Sequence, residues 1–354
     1  MSSFFPSLTT VAKGAFATTV GLGTLSAGLL YYGQSYLIYP SAFTQIGDDG
    51  PPAEPASYGL HHELVELKTK DGEILRCYLL PQKKELPKVR NALHFLELEA
   101  RASYLLVSQR PTVIMFHGNG GNAGHRIPLG MMFQQVMRCN VLGVEYRGYG
   151  ESTGTPSENG LAIDAVTALE FVRGDPRLRN TPVILYGQSI GGAVSIDLAS
   201  RFPGEISGLI LENTFLSLRL LVPHVLPLLG PFRWLCHQRW ESAGKEYKGI
   251  PREMNVLLLS GQSDTLVPPK HMKYLRKIFS ARPHTRRTLG LSPLSISQEG
   301  KNEDEVNEER TQFILFPEGT HNNTTAQHGY WNRIGDFVAE VGKEWREQQK
   351  QYRS

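Results

Sequence analysis

Three residues of the types used in nucleophilic catalysis occur along the chain in the order Ser189, Asp264 and His321. Ser189 is the centre of GQSIG (187–191), which follows an apolar run and precedes small and apolar residues. A G-x-S-x-G pattern at a strand-to-helix turn is typical of a nucleophile elbow, which exposes a serine Oγ at the end of a sheet. The pentapeptide also fits a glycine-rich turn with a surface serine, so other residues of the chain are needed to distinguish the two interpretations.

A serine hydroxyl is a poor nucleophile until a base takes its proton and a third group orients that base. Asp264 follows the apolar run NVLLLS, and His321 follows the run QFILF. Alone, the aspartate fits a helix N-cap and the histidine an ordinary loop residue. Because the carboxyl ends of parallel strands meet at one edge of a sheet, the order Ser, Asp, His predicts a triad of nucleophile, acid and base.

The negative charge of a tetrahedral intermediate needs hydrogen-bond donors. We expect the backbone N–H groups of Ile190, at the start of a helix, and of Asn119, in the loop HGNGGN (117–122), to form this oxyanion hole. The same loop fits G-x-G-x-x-A, with Glu145 placed as a ribose ligand, which is a dinucleotide-binding alternative. That alternative leaves the three predicted triad residues unexplained, so we expect neither a cofactor nor a metal here.

The elements that position these residues alternate between strand and helix from Pro111 onward. This alternation predicts a mostly parallel, doubly wound α/β sheet with helices on both faces. The predicted strands are PTVIMF, NVLGVEY, PVILY, GLILE, NVLLLS and QFILF, and the predicted helices lie near 125–138, 159–174, 190–202, 268–279 and 326–350. An Asp-Gly turn at Asp71 predicts a hairpin before them. Its sequence HELVE resembles H-E-x-x-H, but Glu replaces the second His in a strand-like segment, which excludes that zinc site.

The N-terminal segment is apolar over residues 14–32, with Lys13 as the last charge before it. As a helix it would span about 28 Å, close to the thickness of a bilayer core. Four tyrosines between positions 31 and 39 follow, as in an interfacial aromatic belt. A cleaved signal peptide and a buried core helix are the alternatives. We predict a single-pass anchor in the endoplasmic reticulum or another endomembrane, and Lys13 favours a cytosolic N-terminus.

The predicted domains are a membrane anchor over 1–38, a linker over 39–58 and a catalytic domain over 59–350. Residues 281–310 are polar and charged, and this composition predicts a disordered insertion. Residues 83–104 form a second predicted insertion.

Composition narrows the classes of partner. The formal charge is only +3 and the basic residues are scattered, so we expect no nucleic-acid binding. The three cysteines have no C-x-x-C spacing, which argues against a disulfide framework and a zinc site. We expect the lipid bilayer and an acyl substrate as partners, and the sequence leaves protein partners open.

Several stretches carry a family resemblance: LIYPS, FHGNGGN, EYRGYGES, YGQSIGG, LENTFLS, SGQSDTLVPP and GTHNN. Together they resemble the α/β-hydrolase superfamily, and in particular the membrane-anchored serine hydrolases of the fungal bud-emergence type and their animal counterparts. The resemblance implies an α/β-hydrolase fold, Ser189 as nucleophile, Asp264 as acid, His321 as base, and Asn119 and Ile190 as oxyanion donors. The family is similar to thioesterases that remove palmitate from proteins.

The leading hypothesis is a serine hydrolase of a carboxylic ester or thioester, with a palmitoyl-protein or a lipid as one candidate substrate. The alternative is a catalytically silent, membrane-tethered scaffold. The apolar connection, residues 215–235, is rich in Leu and interrupted by three prolines. It either packs on the sheet or presents one face to an acyl pocket or to lipid.

Overall fold

The computed structural model of the chain describes residues 8–43, 54–82, 107–244, 249–282 and 310–353. The predicted insertion at 83–104 lies outside these residues, and so does nearly all of the one at 281–310.

Eight strands of the described ranges form one sheet with the order β1-β2-β4-β3-β5-β6-β7-β8. They are β1 Glu63–Lys68, β2 Ile74–Leu80, β3 Thr112–Phe116, β4 Asn140–Val144, β5 Val183–Gln188, β6 Gly208–Glu212, β7 Asn255–Gly261 and β8 Thr311–Phe316. β2 pairs antiparallel with β1 and β4, and every other pairing is parallel. The predicted doubly wound sheet and its preceding hairpin are confirmed.

The helices of the described residues lie between the strands and at both ends. They are α1 Leu8–Tyr32, α2 Gln34–Ile38, α3 Pro40–Phe43, α4 Ile127–Met131, α5 Glu158–Gly174, α6 Ile190–Arg201, α7 Leu218–Val225, α8 Lys270–Ser280 and α9 Tyr330–Arg353. The helix predicted near 125–138 is divided into a 3₁₀ turn at Ala123–Arg126, then α4, then a π turn at Met132–Val136. Pro128 in the first turn of α4 fits a new helix start at this point, because its missing N–H needs no partner there.

The core lies on both faces of the sheet, as period-2 alternation in a buried strand requires. Ile114 and Phe116 of β3 pack against the side that carries α5, α6 and α8. Val113 and Met115 pack against the side that carries α4 and α9. All four side chains are buried, so the central strands are held from two sides and fix the edge where their loops emerge.

α1 differs from every other long helix of the described chain because none of its residues is buried. It is the one described helix long and apolar enough to cross a membrane by length and composition. The residues after it pack on the domain: Gln34 Nε2 donates to Leu235 O at 2.9 Å, and Trp240 Nε1 donates to the buried Tyr39 Oη at 3.0 Å. The domain boundaries given above stay a prediction.

Candidate active site

Ser189 lies in the turn that joins β5 to α6, with φ +54° and ψ −119°. A positive φ is rare for a residue other than glycine, and it aims the side chain out of the turn. The flanking glycines make this turn possible. A Cβ on Gly187 would lie 2.2 Å from Gly191 O, and one on Gly191 would lie 2.1 Å from Phe116 O. The sequence pattern therefore folds into the predicted sharp strand-to-helix turn.

Asp264 occupies the loop after β7 and divides its carboxylate between two tasks. Oδ1 accepts the N–H groups of Leu266 and Val267, each at 2.8 Å. Oδ2 lies 2.8 Å from His321 Nδ1. A carboxylate accepts and does not donate, so His321 Nδ1 carries a proton, and the neutral imidazole in this orientation has its lone pair on Nε2. The side chain of Asp264 is almost wholly buried, which strengthens this contact.

The loop after β8 holds His321 against the turn that carries the serine. Gln188, the residue before Ser189, directs Nε2 toward His321 O at 3.4 Å. Asn213 Nδ2 reaches the same carbonyl at 3.3 Å and Thr320 O at 3.2 Å. The structure thus brings Asp264 and His321 into direct contact and places the loop of His321 beside the turn that carries Ser189.

The two predicted oxyanion donors lie on adjacent segments. The position of a Cβ on Gly118 would be 3.5 Å from Ser189 Cβ, so the loop after β3 runs directly past the serine. Asn119 is fixed there by its side chain, whose Nδ2 donates to Ile38 O at 2.5 Å and whose Oδ1 accepts from Tyr149 Oη at 2.6 Å. Ile190 is the first residue of α6, where backbone N–H groups have no partner within the helix.

Comparison with known proteins places the chain in a family. The protein bem46 of Schizosaccharomyces pombe is 36% identical over 93% of this chain and 94% of its own length. The chain belongs to the α/β-hydrolase family. An uncharacterized membrane protein of Saccharomyces cerevisiae is 32% identical, over 94% of this chain and 98% of that protein.

Two further comparisons agree with the fold of this α/β-hydrolase. A family model described as serine aminopeptidase, S33, matches residues 108–255, a range that includes Ser189 and ends before Asp264. The crystal structure of an esterase from Pyrococcus furiosus superposes with a TM-score of 0.56 at 17% identity, over 83% of this chain and 95% of that one. The resemblance seen in the sequence and the expected α/β-hydrolase fold are confirmed.

A buried carboxyl group contacts the turn that carries Ser189 in this α/β-hydrolase. The sequence analysis assigned it no role. Glu212, at the end of β6, accepts hydrogen bonds from Tyr186 Oη and Tyr330 Oη, and Gln188 Nε2 lies 3.3 Å from its Oε1. Complete burial, the largest influence, raises the pKa of this carboxyl, and the two tyrosine hydrogen bonds partly offset that rise. Glu212 O also accepts the N–H of Ser189 at 2.9 Å. The one feature of the sequence that could have indicated this role is that an acidic residue, Glu212, ends an apolar predicted strand.

Glu145, which the dinucleotide alternative assigns as a ribose ligand, lies instead against His117 and Ala123, at the two ends of the loop that contains Asn119. Its Oε2 accepts the N–H of Ala123 at 3.1 Å, and its Oε1 lies 3.2 Å from His117 Nε2. Both side chains are buried. Glu145 therefore braces the loop that carries Asn119.

In the described ranges no group of three or more His, Cys, Asp or Glu side chains has the arrangement of a metal site.

Proposed function

We propose that this α/β-hydrolase cleaves a carboxylic ester or thioester through an acyl-enzyme on Ser189. The observation that carries the proposal is the contact between Asp264 Oδ2 and His321 Nδ1, beside a serine at a strained turn. In the neutral imidazole this contact puts the lone pair on His321 Nε2, which is the form a general base needs. A catalytically silent scaffold would not need a histidine oriented by a buried carboxylate next to this serine.

The reaction runs in two halves. His321 Nε2 takes the proton from Ser189 Oγ while the oxygen attacks the carbonyl carbon, and Asp264 stabilises the imidazolium that forms. The N–H groups of Asn119 and Ile190 stabilise the oxyanion. His321 then gives the proton to the leaving alcohol or thiol, and the acyl-enzyme remains. Water, deprotonated by the same histidine, releases the acid and restores Ser189.

We further propose that α1 anchors the domain in a membrane, with the endoplasmic reticulum or another endomembrane as its location. The length and apolar composition of α1 and its lack of buried residues support an anchor, and so does the yeast relative that is named a membrane protein. An enzyme held at a bilayer meets acyl chains at high local concentration. A palmitoyl-protein or a lipid ester is therefore the substrate class that fits this placement.

A fluorophosphonate probe tests the proposed nucleophile, since it reacts with a serine whose proton a base can remove. The full chain should label, and Ser189→Ala should lose the label while its melting temperature stays near that of the parent. Ser200→Ala is the matched control, because the Ser200 hydroxyl bonds only Asp197 O within α6 in the described structure. Undiminished labelling or hydrolysis in Ser189→Ala would overturn the proposal.

A further inference from the structure

The apolar connection has two faces with different surroundings. Leu218 and Leu221 are buried in the core. Six other large apolar side chains of the connection, called its exposed face below, lie in solvent, with Leu228 91% exposed and Trp234 66% exposed. The six are Leu220, Val225, Leu226, Leu228, Phe232 and Trp234. Exposed apolar groups of this size are typical of surfaces that contact a membrane or another molecule.

This exposed face adjoins the end of α1. The ring of Tyr31, in the last turn of α1, lies 4.6 Å from the ring of His237. Gln34 fastens the junction: its Nε2 donates to Leu235 O at 2.9 Å, and its Oε1 accepts the N–H of His237 at 3.0 Å. The exposed face of the connection therefore adjoins the end of a largely apolar helix that has no buried residue. Because the two apolar surfaces adjoin, one apolar medium could cover both of them.

Between Glu212 and Glu241 the charged side chains of this segment are all basic, which fits an anionic surface. Residues 213–240 contain three arginines, Arg219, Arg233 and Arg239, and no aspartate or glutamate. Arg233 is exposed between two exposed aromatic residues, Phe232 and Trp234. Segments that lie in a membrane interface combine aromatic side chains at headgroup depth with basic residues that reach the phosphates.

The same segment borders the catalytic edge. His224 Nε2 donates to Thr265 O at 2.7 Å, one residue from Asp264. Leu266, in the same loop, is 44% exposed. A bilayer covering the connection would therefore reach the rim of the site.

We propose that the exposed face of residues 220–234 lies in the headgroup and upper acyl region of the membrane that α1 enters, so that acyl substrates reach Ser189 from the bilayer. This inference rests on the proposed function for the anchor and for the acyl substrate. It adds the second contact with the membrane and the side from which substrate arrives.

Site-directed labels in the full chain test the position of this face. The native cysteines Cys77, Cys139 and Cys236 are buried, so an environment-sensitive nitrobenzoxadiazole label can be directed to one new cysteine. Three variants receive it: Leu228→Cys on the connection, Leu64→Cys on β1 as an exposed control, and Phe16→Cys in α1 as the anchor control. Leu64 and Phe16 are 70% and 72% exposed. Each protein is reconstituted into phosphatidylcholine vesicles that carry phosphatidylserine, with and without spin-labelled lipid.

The expected result is quenching by spin-labelled lipid at positions 16 and 228 that is roughly threefold or more that at position 64, where aqueous iodide quenches instead. Quenching at 16 but not at 228 would overturn the inference and leave the anchor standing. The absence of lipid quenching at 16 and 228 would overturn both. Protection of 228 from iodide without lipid quenching would assign the face to a protein partner, including a second copy of this chain, and would overturn the inference as well.

Discussion

At the scale of single residues, the site depends on how Asp264 distributes its two oxygens. Oδ1 holds the loop through Leu266 and Val267, and Oδ2 holds the proton-bearing nitrogen of His321. The first task concerns the shape of the loop and the second the protonation state of the base. A substitution that keeps one task and removes the other separates structure from catalysis.

Asp264→Asn is that substitution. Its Oδ1 can still accept from the two backbone N–H groups, but its amide group would face His321 Nδ1 with a donor. His321 then turns its lone pair to the amide and protonates Nε2, which cannot take a proton from Ser189. We expect kcat to fall by about 10⁴, as in comparable triads, with little change in melting temperature. Steady-state hydrolysis and thermal unfolding check this, and a loss under tenfold would contradict the assigned role of Asp264.

The positions of Ser189, Asp264 and His321 could be predicted from the sequence, because each follows an apolar strand along the chain; their triad role stays a prediction. Glu212 and Asn213 were not recognised as supports. Asn213 reaches the His321 loop across more than 100 positions, with its Nδ2 2.9 Å from Thr324 Oγ1. Contacts of that kind depend on which strands are neighbours, and a linear pattern does not contain the order of strands in the sheet.

At the scale of elements, α8 is joined to the start of the apolar connection by a buried histidine. His271 is 2% exposed, and its Nδ1 accepts the N–H of Leu216 at 3.2 Å. Burial is the main reason that its pKa falls to about 4, with Lys270 and His224 adding to the effect. The fold therefore requires the neutral imidazole at this contact.

This histidine predicts a loss of stability in acid. Between pH 6.5 and 4 the unfolded chain binds a proton that the folded chain does not, so the contribution is complete above 6.5 and is lost as the pH falls toward 4. The loss from His271 between pH 7.5 and 5 is about 2 kcal/mol. His271→Asn keeps an acceptor for Leu216 and should remove most of this dependence. Denaturant unfolding at both pH values checks it, and parallel pH profiles for the two proteins would contradict it.

Strands were predicted more closely than helices for a physical reason. The predicted parallel strands are short apolar runs, and β3 to β7 are buried almost throughout, as strands covered on both faces are. The segment near 125–138 is apolar on a helical period, which predicts one helix. Backbone details such as the start at Pro128 and the π turn after Met131 divide it into three pieces.

At the scale of the whole molecule, the segment that follows α1 packs against the domain that carries Ser189. Gln34 and Tyr39 are buried, and Ile38 O accepts the side chain of Asn119, the predicted oxyanion residue. The end of the proposed anchor is thus linked by one residue to the loop that is proposed to stabilise the oxyanion. The position at which the N-terminal segment is truncated should therefore affect the rate of catalysis.

Two truncations test this link. Removing residues 1–33 takes away a helix with no buried residue, so we expect a protein that needs no detergent and labels at Ser189 as fast as the full chain. Removing residues 1–38 also deletes the Ile38 carbonyl and the Gln34 contacts. The loss of about 1 kcal/mol of positioning should slow labelling roughly fivefold. Equal probe-labelling rates for the two proteins would contradict the link.

The central claim is that Ser189 becomes acylated during turnover, and trapping that intermediate tests it most directly. The full chain is mixed with a 4-nitrophenyl ester or an acyl thioester, quenched in acid within the first turnover and digested for mass spectrometry. The predicted result is an acyl group on the peptide that contains Ser189, formed in step with the first equivalent of released leaving group, and absent in Ser189→Ala. Continued hydrolysis with Ser189 unmodified, or with the acyl group on another residue, would contradict the mechanism.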